Sequence, residues 1–119
     1  AWKIRERFPV WSGALATAGD VVFYGTMDRW FRAVDAATGR ILWQFRTASG
    51  IIGQPITFRG PDGRQYVAVF DGVGGWPGAV VSGDLSPEDP SAALGFVGAM
   101  RDLPKYTEKG GTLYVFGLP

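Results

Sequence analysis

The sequence predicts an all-β protein made of short antiparallel strands. Eighteen glycines and eight prolines divide the 119 residues into short segments. Several of these segments alternate apolar with polar side chains, as half-buried strands do. Only a few turn residues separate one segment from the next, so we expect the strands to pair as hairpins in an up-and-down sheet.

The first half of the chain predicts four strands. Trp2, Ile4 and Phe8 alternate with polar residues on one face until Pro9 ends the pattern. A continuous apolar run follows, as expected of a strand that is covered on both faces. Turns precede each of the remaining two strands. The predicted strands are residues 2–8, 21–24, 30–34 and 41–45. Together they make a sheet of the size of one propeller blade.

The second half predicts a further sheet and one interruption. Its strands are residues 54–58, 65–70 and 112–116, with a hairpin turn at residues 61–63. Between the last two strands, Asp89 and Pro90 suit the N-cap and the first position of a helix. We expect a short helix at residues 92–103, which Gly95 and Gly98 weaken. The residues expected to face inward are Leu94, Val97 and either Met100 or Arg101.

Composition excludes several classes of function. The net charge is +1 and the basic residues are scattered, so the chain has no electrostatic footprint for nucleic acid. Histidine and cysteine are absent, which excludes thiolate or imidazole metal sites and His-dependent catalysis within these residues. There is no bilayer-length apolar run or signal peptide at the start. The chain opens in a predicted strand, and two blades cannot close a ring, so we expect part of a larger propeller.

Residues 33–43 carry the most specific local pattern. They read AVDAATGRILW, with Ala33 first, Asp35 third, Thr38 and Gly39 sixth and seventh, and Trp43 last. Asp35 can accept hydrogen bonds from the backbone of its own turn, and Gly39 allows the positive φ at which the hairpin reverses. The small Ala33 lets an indole lie close to the backbone. Burial of Trp43 would remove about 150–250 Å² from water.

This pattern resembles the tryptophan-docking motif of quinoprotein propellers, including a basic residue at its eighth position, Arg40. The resemblance implies a girdle in which the tryptophan of each blade packs on the neighbouring blade. The alternative is an ordinary hairpin with a core tryptophan. Outer-membrane assembly lipoproteins, which are non-catalytic scaffolds, carry similar repeats. The motif therefore indicates architecture and not chemistry.

Further stretches resemble the large subunit of the methanol dehydrogenases that use pyrroloquinoline quinone (PQQ). They follow one another along the chain at residues 8–14, 49–55, 71–78 and 110–116. The resemblance implies the C-terminal blades of an eight-bladed β-propeller, closer to the lanthanide-using branch than to the calcium-using one. Residues 1–119 would supply about two blades and a closing strand, with an irregular or short-helix excursion at residues 86–109.

The resemblance also implies that Trp11, Gly75 and Trp76 bind the cofactor. PQQ is a flat, tricarboxylated ring system whose reactive carbonyl needs aromatic walls against water, and glycines let the backbone approach it. The alternative is that Trp11 packs between blades and that the loop around Trp76 is a β-bulge with a core aromatic. A dinucleotide or phosphate loop is rejected, because the glycine spacing differs and we expect no helix after it.

No catalytic residue and no metal ligand is assigned within the chain. Its carboxylates are expected in turns or at the surface, and the family resemblance implies that the metal ligands and the catalytic aspartate lie in other parts of the polypeptide. The carboxylates considered are Asp62, Asp84, Glu88, Asp89, Asp102 and Glu108. The metal would be a lanthanide or calcium ion bound outside this segment.

The function that the resemblance implies is the oxidation of a primary alcohol to its aldehyde in the periplasm. Electrons would pass from PQQ to a c-type cytochrome. The other implied partners are the N-terminal remainder of the propeller and a second large subunit in a homodimer. The isolated segment is expected to be inactive. The alternative, from another class, is a non-catalytic propeller scaffold of the outer-membrane assembly lipoprotein type.

Overall fold

A computed structural model describes all 119 residues as two antiparallel sheets and a helical excursion. The first sheet has the strand order β1-β2-β3-β4. Its strands are β1 (Leu15–Ala16), β2 (Val21–Gly25), β3 (Trp30–Asp35) and β4 (Ile41–Arg46). The second sheet has the order β5-β6-β7. Its strands are β5 (Ile56–Arg59), β6 (Gln65–Asp71) and β7 (Thr112–Gly117). The predicted all-β class is confirmed.

The two sheets face one another across a shared apolar core. Phe23 and Phe31 contribute from the first sheet, and Val67 and Val69 from the second. Ile51, in the segment that joins the sheets, is fully buried between them. Large apolar side chains on both inner faces are therefore removed from water, which is the main favourable contribution to holding two such layers together.

The predicted strand at residues 2–8 is wrong. These residues have no strand partner, and the first strand of the sheet is the two-residue β1, whose Leu15 lies opposite Phe23. Side chains hold the segment to the sheet instead. Glu6 accepts a hydrogen bond from the Tyr24 hydroxyl at 2.6 Å and forms an ion pair with Arg32. Alternation was present in the sequence, but a strand also needs a neighbour for its backbone.

The second sheet follows the prediction closely and leaves one face uncovered. The hairpin between β5 and β6 turns at Gly63, which has a φ of +77°, and β7 returns from the excursion to pair with β6. The uncovered face carries large exposed apolar side chains. They are Ile56, Phe58, Phe70, Leu113 and Val115.

An α-helix follows the glycine-rich stretch, which contradicts the expectation that no helix would. Helix α1 spans Gly75–Ser82 and has Gly74 as its N-cap. Its sequence, GWPGAVVS, has low helix propensity. Val80 is buried in an apolar cluster with Phe8, Val97 and Met100. Tertiary burial, which the local sequence does not report, stabilises this helix.

The predicted helix at residues 92–103 is replaced by two 3₁₀ segments, Ala92–Met100 and Leu103–Lys105. The first is kinked, because Ala93, Leu94 and Gly95 all have positive φ. Its N-cap is Ser91 and not Asp89. Leu94 is 81% exposed and does not face inward, whereas Val97 and Met100 are buried as expected.

Candidate functional site

The docking turn, residues 35–39, is closed by its own side chains. Asp35 Oδ1 accepts hydrogen bonds from the backbone N–H of Ala37 at 3.1 Å and of Thr38 at 2.7 Å, and from the Thr38 hydroxyl at 2.7 Å. The hydroxyl of Thr38, followed by its backbone N–H, lowers the pKa of Asp35 from its usual value. Gly39 has a φ of +73°. The turn is therefore fixed by its own hydrogen bonds, and the absence of a side chain at Gly39 leaves room for a flat group to lie on it.

Trp2 lies on this turn. Its indole Nε1 donates a hydrogen bond to the carbonyl oxygen of Ala36 at 2.8 Å. A Cβ at Gly39 would lie 2.5 Å from Trp2 Cε3, so the ring covers the glycine directly. Sequence reasoning assigned Trp2 to a strand and missed this contact. A signal was available, since residues 2–5 (WKIR) repeat the pattern of residues 43–46 (WQFR).

Trp43 contacts the second sheet. Its ring lies edge-on to Phe116 of β7, with centroids 5.0 Å apart, and edge-on to Phe31 of β3 at 6.1 Å. Ala33 is its cross-strand partner, so the small residue of the pattern stands opposite the indole. The side chain is 40% exposed. Trp43 thus joins the two sheets and stays partly exposed.

Trp11 is held by the residue that follows it. The Ser12 hydroxyl accepts a hydrogen bond from Gly25 N at 3.0 Å and donates one to Gly13 O at 2.7 Å. Trp11 itself is 36% exposed and meets Phe96 edge-on, with ring centroids 6.0 Å apart. A fixed backbone with a partly open indole suits a wall of a pocket.

Trp76 stands in the first turn of α1 beside open space. A Cβ added at Gly74 or at Gly75 would meet no atom within 4 Å, and Gly75 has a φ of +55°. The indole of Trp76 is 41% exposed. The backbone at the two glycines is therefore free for close approach by a flat ligand, and an aromatic face stands next to it. These residues fit a wall for a ring system such as PQQ.

The elements that carry the two tryptophans pack on one apolar cluster. Phe8 lies three residues before Trp11, and Val80 lies four residues after Trp76; both are buried in the cluster that also holds Val97. The aromatic contact of Trp11 is with Phe96 and not with Trp76. The structure thus brings the two segments to the same side of the core and leaves both indoles partly exposed.

The carboxylates divide into exposed groups in surface turns and two buried groups, Asp28 and Asp71. Asp62, Asp89 and Asp102 have a lowered pKa, because each accepts hydrogen bonds from residues two to four positions along its own turn. Asp71 is only 3% exposed, and sequence reasoning did not single it out. No three His, Cys, Asp or Glu side chains stand together as a metal site would need. Nor is any helix long and apolar enough to cross a membrane.

Comparison with known proteins matches this architecture to a defined class. Residues 2–67 match the family of PQQ-dependent proteins described as "Glucose/ethanol/alcohol dehydrogenase, beta-propeller domain". The chain is 60% identical over 119 residues to the lanthanide-dependent methanol dehydrogenase of Methylacidiphilum fumariolicum (strain SolV), covering 98% of this chain and 20% of that protein. It is 53% identical to methanol dehydrogenase (cytochrome c) subunit 1 of Methylobacterium organophilum, covering 98% of this chain and 18% of that protein.

A solved structure agrees with these relatives. The europium-containing methanol dehydrogenase superposes with a TM-score of 0.89 at 60% sequence identity, over 98% of this chain and 21% of that one. Two up-and-down antiparallel sheets that pack face to face, with a tryptophan docked on a turn, are the arrangement expected of neighbouring blades in such a propeller. The chain belongs to the PQQ-dependent alcohol dehydrogenase β-propeller family, and the expected resemblance is confirmed. It spans about a fifth of the length of the relatives it matches.

Proposed function

We propose that this chain is part of a PQQ-dependent alcohol dehydrogenase that oxidises a primary alcohol, methanol above others, to its aldehyde. Trp11, Gly75 and Trp76 form walls of the cofactor pocket. The observation that carries the proposal is the open backbone at Gly74 and Gly75 beside the partly exposed indole of Trp76. The names of the matched relatives, which are methanol dehydrogenases, support the enzyme over the scaffold.

When bound, PQQ supplies the acceptor for the two electrons that the alcohol loses. The residues of this chain bind and shield it. Trp11 and Trp76 offer apolar faces that exclude water from one side of a flat ring system. The glycines before Trp76 let the backbone come within contact distance, which a Cβ would prevent. The chain has no histidine or cysteine, and residues 72–78 contain no aspartate or glutamate. We therefore assign proton transfer to other parts of the polypeptide.

The metal ion and the electron acceptor follow from the same proposal. The ion is a lanthanide or calcium held by ligands outside these 119 residues, and the lanthanide is favoured by the 60% identical relative. A c-type cytochrome receives the electrons, as the name of the 53% identical relative suggests for that protein. We place the enzyme in the periplasm as a homodimer of large subunits. In each subunit, the remaining blades complete the propeller ring together with this segment.

Reconstitution of the full-length apoprotein tests the proposal. The apoprotein is titrated with PQQ in the presence of lanthanum or calcium, and the absorption of the bound quinone and methanol-dependent reduction of an artificial electron acceptor are followed. Saturable quinone binding together with methanol oxidation is expected. A properly folded protein that binds no quinone under either metal would be a scaffold, and the proposal would fail.

A further inference from the structure

The two proposed walls are joined by one short segment, the bridge loop, residues 49–51. On the Trp11 side, Ile51 N donates to Thr26 O at 2.9 Å. The Ile51 side chain fills the space where Gly25 would carry a Cβ. Gly25 N in turn donates to the Ser12 hydroxyl, next to Trp11. The bridge loop is therefore packed directly against the strand end that fixes Trp11.

On the Trp76 side, the bridge loop meets the start of the glycine-rich stretch. Gly72 N donates to Gly50 O at 2.7 Å. Val73 is 5% exposed and packs between Gly50 and Gly78. A Cβ added to Gly50 would lie 2.8 Å from Val73 Cγ1, and a Cβ added to Gly78 would lie 2.7 Å from the Val73 carbonyl oxygen. Gly78 belongs to α1, whose first turn carries Trp76. These contacts leave little room for the backbone between the bridge loop and Trp76 to change conformation.

The Asp71 carboxylate links the bridge loop to β7 through two hydrogen bonds. Its Oδ2 accepts a hydrogen bond from Ser49 N at 2.8 Å, and its Oδ1 accepts one from Thr112 N at 2.8 Å. No cation pairs with it, because the two ion pairs of the chain are Arg32–Glu6 and Lys105–Asp102. The carboxylate is buried and both oxygens are occupied by backbone donors. Charge-assisted bonds of this kind are stronger than neutral ones, and their loss leaves a buried N–H unpaired.

We propose that Asp71 is a positioning residue for the cofactor pocket: by clamping the bridge loop to β7 and to the start of the Gly72–Trp76 segment, it sets the spacing between Trp11 and Trp76. The inference rests on the proposed function, in which both indoles wall the PQQ site. Asp71 is 3% exposed, and both of its carboxylate oxygens already accept hydrogen bonds from backbone N–H groups. Its influence on binding passes through the backbone that it holds.

The test compares PQQ binding in two backgrounds of the full-length apoprotein. Asp71→Asn keeps the shape of the side chain but turns an amide donor toward one of the two backbone donors. We expect the Kd for PQQ, measured by absorption and by tryptophan quenching well below the unfolding temperature, to rise about tenfold. In the Trp76→Ala background the same change should alter the Kd less than about twofold, because coupled residues do not add.

Asp62→Asn is the matched control. Asp62 also accepts a backbone hydrogen bond, from Arg64 N at 3.0 Å, but it lies in an exposed hairpin turn of the second sheet. Its replacement should leave the Kd for PQQ unchanged. If Asp71→Asn yields no folded protein, Thr107→Val takes its place, and its Kd for PQQ is measured alone and in the Trp76→Ala background. Thr107 is buried and its hydroxyl accepts from Gly50 N at 2.7 Å, so valine removes a bridge-loop bond at constant size.

The outcomes separate this inference from the proposed function. An unchanged Kd in Asp71→Asn, or an equal rise in both backgrounds, overturns the positioning role, even when the melting temperature falls. An unchanged Kd in Trp76→Ala alone removes the wall itself, and with it this inference. If Trp76→Ala weakens PQQ binding and Asp71→Asn leaves the Kd unchanged, only the inference about Asp71 fails and the proposed function stands. Weaker binding in both single variants, without additivity, establishes it.

Discussion

Trp2 covers Gly39 so closely that no side chain fits between them. The indole Nε1 of Trp2 bonds Ala36 O at 2.8 Å, and a Cβ at Gly39 would approach the ring to 2.5 Å. Asp35 and Thr38 hold the turn on which the ring lies. Trp2 therefore docks on the turn of residues 35–39. A second tryptophan, Trp43, packs against Phe116 of the second sheet.

Gly39→Ala tests this contact against a control with the same backbone. Gly39 and Gly63 have φ values of +73° and +77°, but nothing lies within 4 Å of a Cβ at Gly63. Both alanine variants should lose about 1–3 kcal/mol from backbone strain. Gly39→Ala should lose a further 1–3 kcal/mol, roughly the cost of overpacking against Trp2. Urea unfolding of the full-length variants measures the difference, and equal losses would deny the docking contact.

Trp43→Ala should destabilise the full-length protein and spare its cofactor site. The expected loss is about 3 kcal/mol, at the low end for removal of a large aromatic, because 40% of the side chain is exposed. Trp43→Phe should retain much of this, since a ring still reaches Phe116. PQQ affinity of the folded protein should not change. A melting temperature equal to that of the wild type would remove the packing role.

Trp76→Ala should weaken PQQ binding. Loss of one aromatic wall removes about 1–3 kcal/mol of contact energy, which corresponds to a rise of roughly 5- to 150-fold in Kd. Turnover should recover in part when excess PQQ is supplied, which a folding defect would not permit. Titration of the full-length apoprotein measures the change, with Trp43→Ala as the aromatic control. Equal affinity and turnover in wild type and Trp76→Ala would return Trp76 to a core role.

Burial of the Tyr24 hydroxyl and its hydrogen bond to Glu6 should make stability fall at alkaline pH. Burial, followed by the bond to Glu6, raises the pKa of Tyr24 above its usual value of 10.0. The folded state then holds the phenol proton more tightly than the unfolded state does. This contribution is fully present below pH 10 and is lost as pH rises through the folded pKa. The free energy of unfolding should decline more steeply above about pH 10 in the wild type than in Tyr24→Phe. Parallel curves would contradict the assignment.

The 119 residues, produced alone, should neither fold stably nor oxidise alcohols. The second sheet leaves Ile56 57% exposed and Phe70 61% exposed, together with the rest of its uncovered apolar face. Patches of this kind are covered by neighbours in repeat architectures. Circular dichroism and sedimentation should find aggregation or a non-cooperative transition. A soluble monomer with cooperative unfolding would show that the two sheets are sufficient.

Local pattern predicted the elements whose signals are local. Turn residues and short runs of strand-forming residues predicted six of the strands within a few residues, because both signals lie within the strand and its adjoining turns. The closed turn at Asp35 and Gly39 was likewise predictable, since the hydrogen bonds and the positive φ involve residues within the motif. Trp11, Gly75 and Trp76 were singled out by resemblance, and their role as cofactor walls stays a prediction.

Helix α1 and the path of residues 2–8 were decided by distant contacts. GWPGAVVS has poor helix propensity and is helical because Val80 is buried against Phe8 and Val97. Residues 2–8 alternate like a strand, but Trp2 is bound by the turn at Ala36 and Glu6 by Arg32 and Tyr24. Asp71 gave no signal, since a carboxylate becomes a clamp only when the fold brings Ser49 and Thr112 to it.

The sequence by itself determined the all-β class, the turns and the identity of the aromatic residues, since these depend on backbone preference and on periodicity over a few positions. The tertiary structure decided which tryptophan docks on which turn, where a helix forms against its propensity, and which carboxylates are buried. Those outcomes depend on burial between segments 20 to 60 residues apart, as between Ser49 and Asp71 or Gly50 and Thr107. Burial of that kind is a property of the packed chain and of no single stretch of it.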